Sequence, residues 1–435
     1  MGGGAAVRWP RVVMLCAAAG GCSGAGTHAT DGPGAADAGE VHAMGQGGSD
    51  AGAAAGSGGA DAGAGAGTAG GGGAGGAAGS RDGGTTPVGP IACAGAPAAP
   101  APASQWINAT GNLAGMAAGC TGLSYVAAQP CSKRVIAGVE GHGLWASDDS
   151  GKTWQALGAG GGSAVITNAV GHIVFDPAHP EIFWEAGIRG TAGLYQTRDD
   201  GLTFKQLGTM TFTQQVSVDF GDPARATLLT GTHGMKQLVF RSPDGGGTWT
   251  NVGLNLPATA HNGETPLVID AHTYLLGACG QGDGVCGVYR STDSGATWTL
   301  SNDVPVSHFG APLWASDGAI YWPLLSDGGL SKSTDLGKTW TKVVGPGTLV
   351  GLTPLELPDR TIVTVGIDHV MRSSDGGKSW QPILDPLPFR LAGGDTGSLT
   401  YSAATRTFFL SHFDCGASKV LADAVMSAGF DSSAP

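Results

Sequence analysis

The sequence is short of charge, and the charge it has is mostly of one sign. Only 13% of residues are Asp, Glu, Lys or Arg, and 22 Lys and Arg stand against 34 Asp and Glu, for a formal charge of −12. A surface so poor in cations cannot neutralise a phosphate backbone or adhere to anionic headgroups, which argues against nucleic acid and against electrostatic membrane binding. Long hydrophobic runs are also missing. The run near the start, Val12 to Ala19, has eight residues, whereas a permanent transmembrane helix needs about 20. Between Ser23 and Pro102 there is almost no large apolar side chain, only Gly, Ala, Ser and Asp in runs such as Ala69 to Ala77. Such a segment has nothing to bury that offsets the entropy of ordering it. It reads as a flexible tether whose reach grows as about 5–6 Å times the square root of its length.

These absences divide the chain into residues 1–21, an export signal; 22–102, the tether; and 103–435, the part able to build a core. Arg8 and Arg11 precede the short apolar run, and small residues follow it up to Cys22, as a signal peptide requires. Ala19-Gly20-Gly21-Cys22 resembles the lipobox of bacterial lipoproteins, with Ala19 where Leu is usual. The resemblance implies a diacylglycerol thioether on Cys22, an outer-membrane or cell-surface location, and membrane contact through the lipid alone. Cleavage that releases a secreted protein is the alternative. With Cys16 and Cys22 set aside, six cysteines remain, and an even number in an oxidising compartment favours disulfides. Cys120 with Cys131, and Cys279 with Cys286, are close enough to staple local hairpins, which leaves Cys93 and Cys415 to each other.

One octapeptide recurs through the whole remaining chain, as Ser147 to Trp154, Thr197 to Phe204, Ser242 to Trp249, Ser291 to Trp298, Ser333 to Trp340 and Ser373 to Trp380. The copies start 40 to 50 residues apart, the spacing of one four-stranded blade. Glycine at the fifth place permits positive φ in a tight hairpin. The aspartate at the third place (Asp149, Asp199, Asp244, Asp293, Asp335 and Asp375) accepts bonds from turn amides and the neighbouring hydroxyl. These carboxylates are therefore structural. The motif resembles the Asp-box, or bacterial neuraminidase repeat, and implies an all-β fold. Leu399 to Ser402, Thr407 to Ser411 and Asp423 to Ser427 supply further strands without the motif. A seven-bladed β-propeller with one degenerate closing blade is expected, with Gln105 to Asn108 a candidate outermost strand and a six-bladed ring the alternative.

Turns in a propeller alternate between two faces. The C-to-D hairpins carrying the octapeptide share a face with the A-to-B turns, and the B-to-C and D-to-A loops form the other. On that second face the sequence places His142, His233, His369 and His412 near B-to-C turns and His308 near a D-to-A junction, with Arg189 also there. Glu140, Glu264, Asp368 and Asp414 accompany them. This reads as a polar, pH-responsive funnel for a ligand. No pair shows metal-ligand spacing, and neither a metal nor a cofactor is expected.

Three families that share the motif bear on function. Exo-sialidases grip a carboxylate with three arginines, and the expected funnel offers essentially Arg189 and Arg390. Xyloglucan-type endoglucanases carry similar repeats, such as Asp176-Pro177 and Gly193-Leu-Tyr195, and the resemblance implies a cleft between two propellers with a carboxylate from each. Were one ring to hydrolyse glycans, Glu140, Glu264, Asp368 and Asp414 are the acid/base candidates, since that chemistry needs two carboxyls about 5–9.5 Å apart. Non-catalytic Asp-box propellers hold peptides or proteins. The reading is a sialidase-like propeller binding an extracellular glycan or envelope protein, with a glycoside hydrolase as the alternative.

Overall fold

The computed structural model describes residues 103–119, 122–158, 162–190, 193–279, 284–307, 309–325, 329–343, 352–389, 397–411, 421 and 424–432. The signal segment, the tether, Cys22, Cys93, Cys120, His308, Arg390, His412, Asp414 and Cys415 lie outside them. Contacts divide the chain into Met1–Ala78 and Gly79–Pro435; all that follows concerns the second unit. Its described residues form seven four-stranded antiparallel sheets, with three short 3-10 turns and no α-helix.

Each sheet is a blade whose strands run A to D from the inside outwards. The innermost strands of blades 1 to 7 are Leu123–Ala128, Ala169–Phe175, Thr213–Val218, Gly263–Val268, Leu313–Trp314, Leu355–Glu356 and Leu399–Ser402. Second strands such as Val135–Val139, Phe183–Ile188 and Tyr274–Ala278 are buried along their whole length. A sheet packed on both faces needs near-continuous apolar residues rather than alternation. Fourth strands such as Gln155–Ala156 and Lys205–Gln206 are short and exposed. Clusters of buried side chains fill the gaps between blades, for instance Ile136 and Leu144 of blade 1 against Phe183 and Tyr195 of blade 2.

The seventh blade closes the ring with segments from both ends of the described residues. Leu399–Ser402, Thr407–Ser411 and Val425–Gly429 are its first three strands, and Ile107–Asn108 is the fourth, with Ile107 opposite Ser427 and Asn108 opposite Met426. Trp106 is 7% exposed in the core of this seam, and its Nε1 donates to Asp385 O at 3.0 Å. Hydroxyls of the closing blade satisfy the free inner edge of blade 1, a strand edge that otherwise leaves backbone groups unpaired. Val126 N donates to Ser398 Oγ at 2.7 Å, and Ala128 N to Thr400 Oγ1 at 3.0 Å.

All six octapeptide hairpins share one hydrogen-bond pattern. In the first, Asp149 Oδ1 accepts from Ser147 Oγ at 2.8 Å and from Thr153 N at 2.9 Å, while Oδ2 accepts from Thr153 Oγ1 at 2.7 Å. Gly151, at φ +85°, donates its N–H to Ser147 Oγ. The Thr153 amide is the largest influence holding the Asp149 carboxyl below its usual range, because these bonds favour the ionised form. The fourth place is also left-handed, and it is occupied by Ser150, Asp200, Ser294 and even Leu336 at φ +58°, where a branched side chain is strained. The terminal tryptophans reach the preceding blade, as when Trp298 Nε1 donates to Val252 O at 3.2 Å.

Cys279 and Cys286 form a disulfide across the B-to-C hairpin of blade 4, as expected. Cys131 is disulfide-bonded as well.

Candidate functional site

Strand boundaries place the described candidates on turns of one face. Glu140 and His142 occupy the B-to-C turn of blade 1, between Val139 and Gly143; Arg189 follows Ile188 in blade 2; His233 follows Thr232 in blade 3; Asp368 and His369 precede Val370 in blade 6. Glu264 differs from these. It is the second residue of the inner strand of blade 4 and is 0% exposed.

The fold brings His233 and Glu264 together. Glu264 Oε1 accepts the Gly234 amide at 2.9 Å, and Oε2 lies 3.4 Å from His233 Nδ1. Gly231 makes the approach feasible, since a Cβ there would stand 2.5 Å from Gly263 O and 2.7 Å from Glu264 Cα. The His233 ring also lies 5.9 Å from the Phe309 ring. The remaining candidates are dispersed. His369 Nδ1 pairs with its neighbour Asp368 at 2.8 Å, His142 Nε2 lies 2.5 Å from Ala117 O, and Arg189, exposed at φ +63°, has no hydrogen-bond partner among the described residues. The described carboxylates Glu140, Glu264 and Asp368 thus stand on three different blades.

Inner-strand residues that the sequence reading passed over complete the funnel. Gln214 and Gln215 are 2% and 1% exposed, and the Oε1 atom of each has no hydrogen-bond partner. A buried amide oxygen with an unmade bond calls for a ligand or an ordered water. Gln215 Nε2 donates to Phe309 O at 2.7 Å, which links blade 3 to the loop before blade 5. Gln214 and Phe309, with Ser124, Tyr125 and Gly397, line an axial cavity of about 30 Å³, room for about one water. At the start of the same strand stands Phe212, 37% exposed and at φ +58°, its carbonyl bonded by His233 N–H. The run Thr213-Gln-Gln215 was the visible signal: consecutive polar residues where an inner strand otherwise alternates.

His172, in the inner strand of blade 2, is pushed down to about 4 by burial and is neutral, with its ring edge-on to Tyr125. The tryptophans on this side serve the core: Trp145 packs in the cluster around Leu123 and Trp154, and Trp314 in the one around Trp322. Among the described residues no group of three His, Cys, Asp or Glu stands at metal-binding distances.

The chain is a seven-bladed β-propeller, and part of its sequence is similar to xyloglucanases. A xyloglucanase from Paenibacillus sp. is 28% identical over 241 residues, covering 45% of this chain and 23% of that protein. A xyloglucanase from Hypocrea jecorina is 25% identical over 264 residues, covering 54% and 28%. The chain therefore spans only about a quarter of the length of the curated relatives it matches. Among solved structures, the extracellular domain of a putative hybrid two-component system from B. thetaiotaomicron superposes with a TM-score of 0.50 at 13% identity, covering 71% of this chain and 40% of that one, a likeness of fold. No family model matches the chain.

Proposed function

We propose that this protein is an exported Asp-box propeller, held to the cell surface by lipid on Cys22, that binds an extracellular glycan on the face carrying the B-to-C turns. The observation that carries this reading is the grouping of Gln214, Gln215, Phe212 and Phe309 at the funnel mouth. Neutral sugars are recognised by amide hydrogen bonds and aromatic faces rather than by ion pairs. Here the amide oxygens of Gln214 and Gln215 lack partners, Gln214 shares the cavity lining with Phe309, and Phe212, just ahead of the same strand, is partly exposed. His142, Arg189, His233 and His369 form the surrounding rim in this proposal, while His308 and His412, expected to join them, lie outside the described residues. The axial cavity is too small for a sugar ring, so the glycan lies across the mouth. The xyloglucanase relatives make β-glucans the first class to test.

Hydrolysis is the second reading, and that same relationship favours it. It requires two accessible carboxyls within about 10 Å, whereas Glu264 is fully buried and Glu140 and Asp368 sit on separate blades. A glycan array run beside hydrolysis assays on xyloglucan, β-glucans and sialosides tests both. Binding lost in Phe212→Ala and Gln215→Ala, with no turnover, supports the proposal. Turnover abolished by Glu140→Gln or Asp368→Asn establishes the enzyme, and absence of any glycan binding leaves an envelope protein as the partner class. Globomycin-sensitive processing lost in Cys22→Ser tests the anchor.

A further inference from the structure

The larger cavity, about 230 Å³, lies on the opposite face, in the gap between blades 2 and 3. Comparison of the repeats explains why a gap exists there. The residue just before the first residue of the octapeptide is Arg241 in blade 3, Arg290 in blade 4, Lys332 in blade 5 and Arg372 in blade 6. Each of these cations reaches into the next blade. Arg241 Nε bonds Tyr274 Oη at 2.6 Å, Arg290 Nε bonds Leu336 O at 3.0 Å, Lys332 Nζ bonds Gly376 O at 3.1 Å, and the Arg372 guanidinium lies 5.5 Å from the Phe430 ring. Blade 1 has Ala146 at this place and blade 2 the neutral Gln196, whose Oε1 accepts a bond from Arg198 Nε at 3.3 Å. Among the described residues no cation at this place in blade 2 bridges to blade 3.

What surrounds the opening has a definite chemistry. Ile182 and Trp184 of blade 2 and Pro223 of blade 3 supply apolar walls. The floor is an ion pair already satisfied. Arg225 Nε and Nη2 lie 2.7 and 3.0 Å from the Asp176 carboxylate, and Arg225 Nη1 bonds the carbonyls of Phe220 and Asp222. Arg198 is different: it is exposed and lines the cavity, and among the described residues neither Nη1 nor Nη2 has a hydrogen-bond partner. A guanidinium with both terminal nitrogens free pairs bidentately with a carboxylate.

We propose that the gap between blades 2 and 3, opened by Gln196 and headed by Arg198, binds a small monocarboxylate with an apolar body. Its volume of about 230 Å³ corresponds to roughly eight waters, taking a water as about 30 Å³. The carboxylate meets Arg198, and the body lies between Trp184 and Pro223. The site is remote from the proposed glycan face, and the two stand or fall separately.

Benzoate is a suitable probe, with benzamide as its uncharged counterpart and benzylammonium as the opposite charge. Ligand-observed saturation-transfer NMR and calorimetry on the full chain read binding down to millimolar affinity. The expected result is benzoate bound at least tenfold more tightly than either counterpart, with the preference lost in Arg198→Gln and reduced but present in Arg198→Lys, which keeps the charge without the fork. Gln196→Arg, which restores the bridge found in blades 3 to 6, is expected to fill the cavity and remove benzoate binding while raising the melting temperature. No benzoate binding at about 10 mM, an affinity near the weakest that calorimetry reads, overturns the proposal. Equal binding of benzamide, or benzoate binding unchanged in Arg198→Gln, overturns it too. Should Gln196→Arg not fold, the two Arg198 variants decide.

Discussion

Asn168 Nδ2 donates to Glu185 Oε2 at 3.4 Å within the packed interface of blades 1 and 2, while Asn168 Oδ1 and Glu185 Oε1 are both buried without partners. Two lone acceptors on the same pair of side chains are resolved at once if the carboxyl is protonated and donates to the amide oxygen. Burial raises the Glu185 carboxyl to about 8, the Asn168 bond only partly opposing it, so the acid is neutral at pH 7.

Stability should accordingly fall as the medium becomes alkaline. The folded value lies above the ordinary 4.5, so the folded form holds the extra proton. The stabilisation is complete below about pH 4.5 and is lost as pH rises through about 8, with a slope of about 1.4 kcal/mol per pH unit between them. Urea midpoints taken from pH 5 to 8.5 should show this slope in the wild type. Glu185→Gln, which keeps both hydrogen bonds with no proton to lose, should flatten it and be the more stable form at pH 8.

The octapeptide aspartates impose the opposite dependence at the acidic end. Their folded values lie below the ordinary carboxylate range, so their stabilisation is present above about pH 4 and is lost as pH falls through those depressed values. Asp335→Ala removes acceptors for Ser333, Lys338 and Thr339 and is expected to cost about 1–2 kcal/mol. Thermal unfolding at pH 6 checks the size, and a smaller acid-induced loss in the variant checks the cause.

Ring closure is testable at Trp106. Trp106→Ala removes a nearly buried indole and its bond to Asp385, for an expected loss of about 3–5 kcal/mol. Hydrogen exchange should show early loss of protection confined to blade 7 and its neighbours.

Gly231 sets the distance between blades 3 and 4. Gly231→Ala places a methyl against the backbone of Gly263 and Glu264, and neither can rotate away. A destabilisation of about 1–3 kcal/mol is expected, together with weakened ligand binding at the adjoining His233 and Glu264 if that face is the glycan site. Melting curves and glycan titrations read the two effects separately.

The octapeptide was legible because a tight turn admits few residue types, and its spacing carried six of the seven blades with it. Gln105 to Asn108 was legible as a closing strand because nothing else was left to pair with the last hairpin. Glu264 was read as a loop residue, and its burial escaped notice because strand ends cannot be fixed to within two residues from pattern alone. Gln214 and Gln215 were hidden because an inner strand shows one set of side chains to a neighbouring blade and the other to a neighbour or the channel, and alternation does not distinguish these. Glu185 and the Gln196 gap depend on contacts between blades, which local sequence does not encode.

The two-residue strand Ile107–Asn108 has a mechanical consequence. Any tension entering from the residues ahead of Ala103 meets the bond from Gly429 N–H to Ala103 O and then that strand, which is held by Met426 and Ser427 and pinned by one indole. A pull from this side unzips the seam one pair at a time instead of shearing a whole sheet. The seam that closes the ring is thus also the first to give way under load.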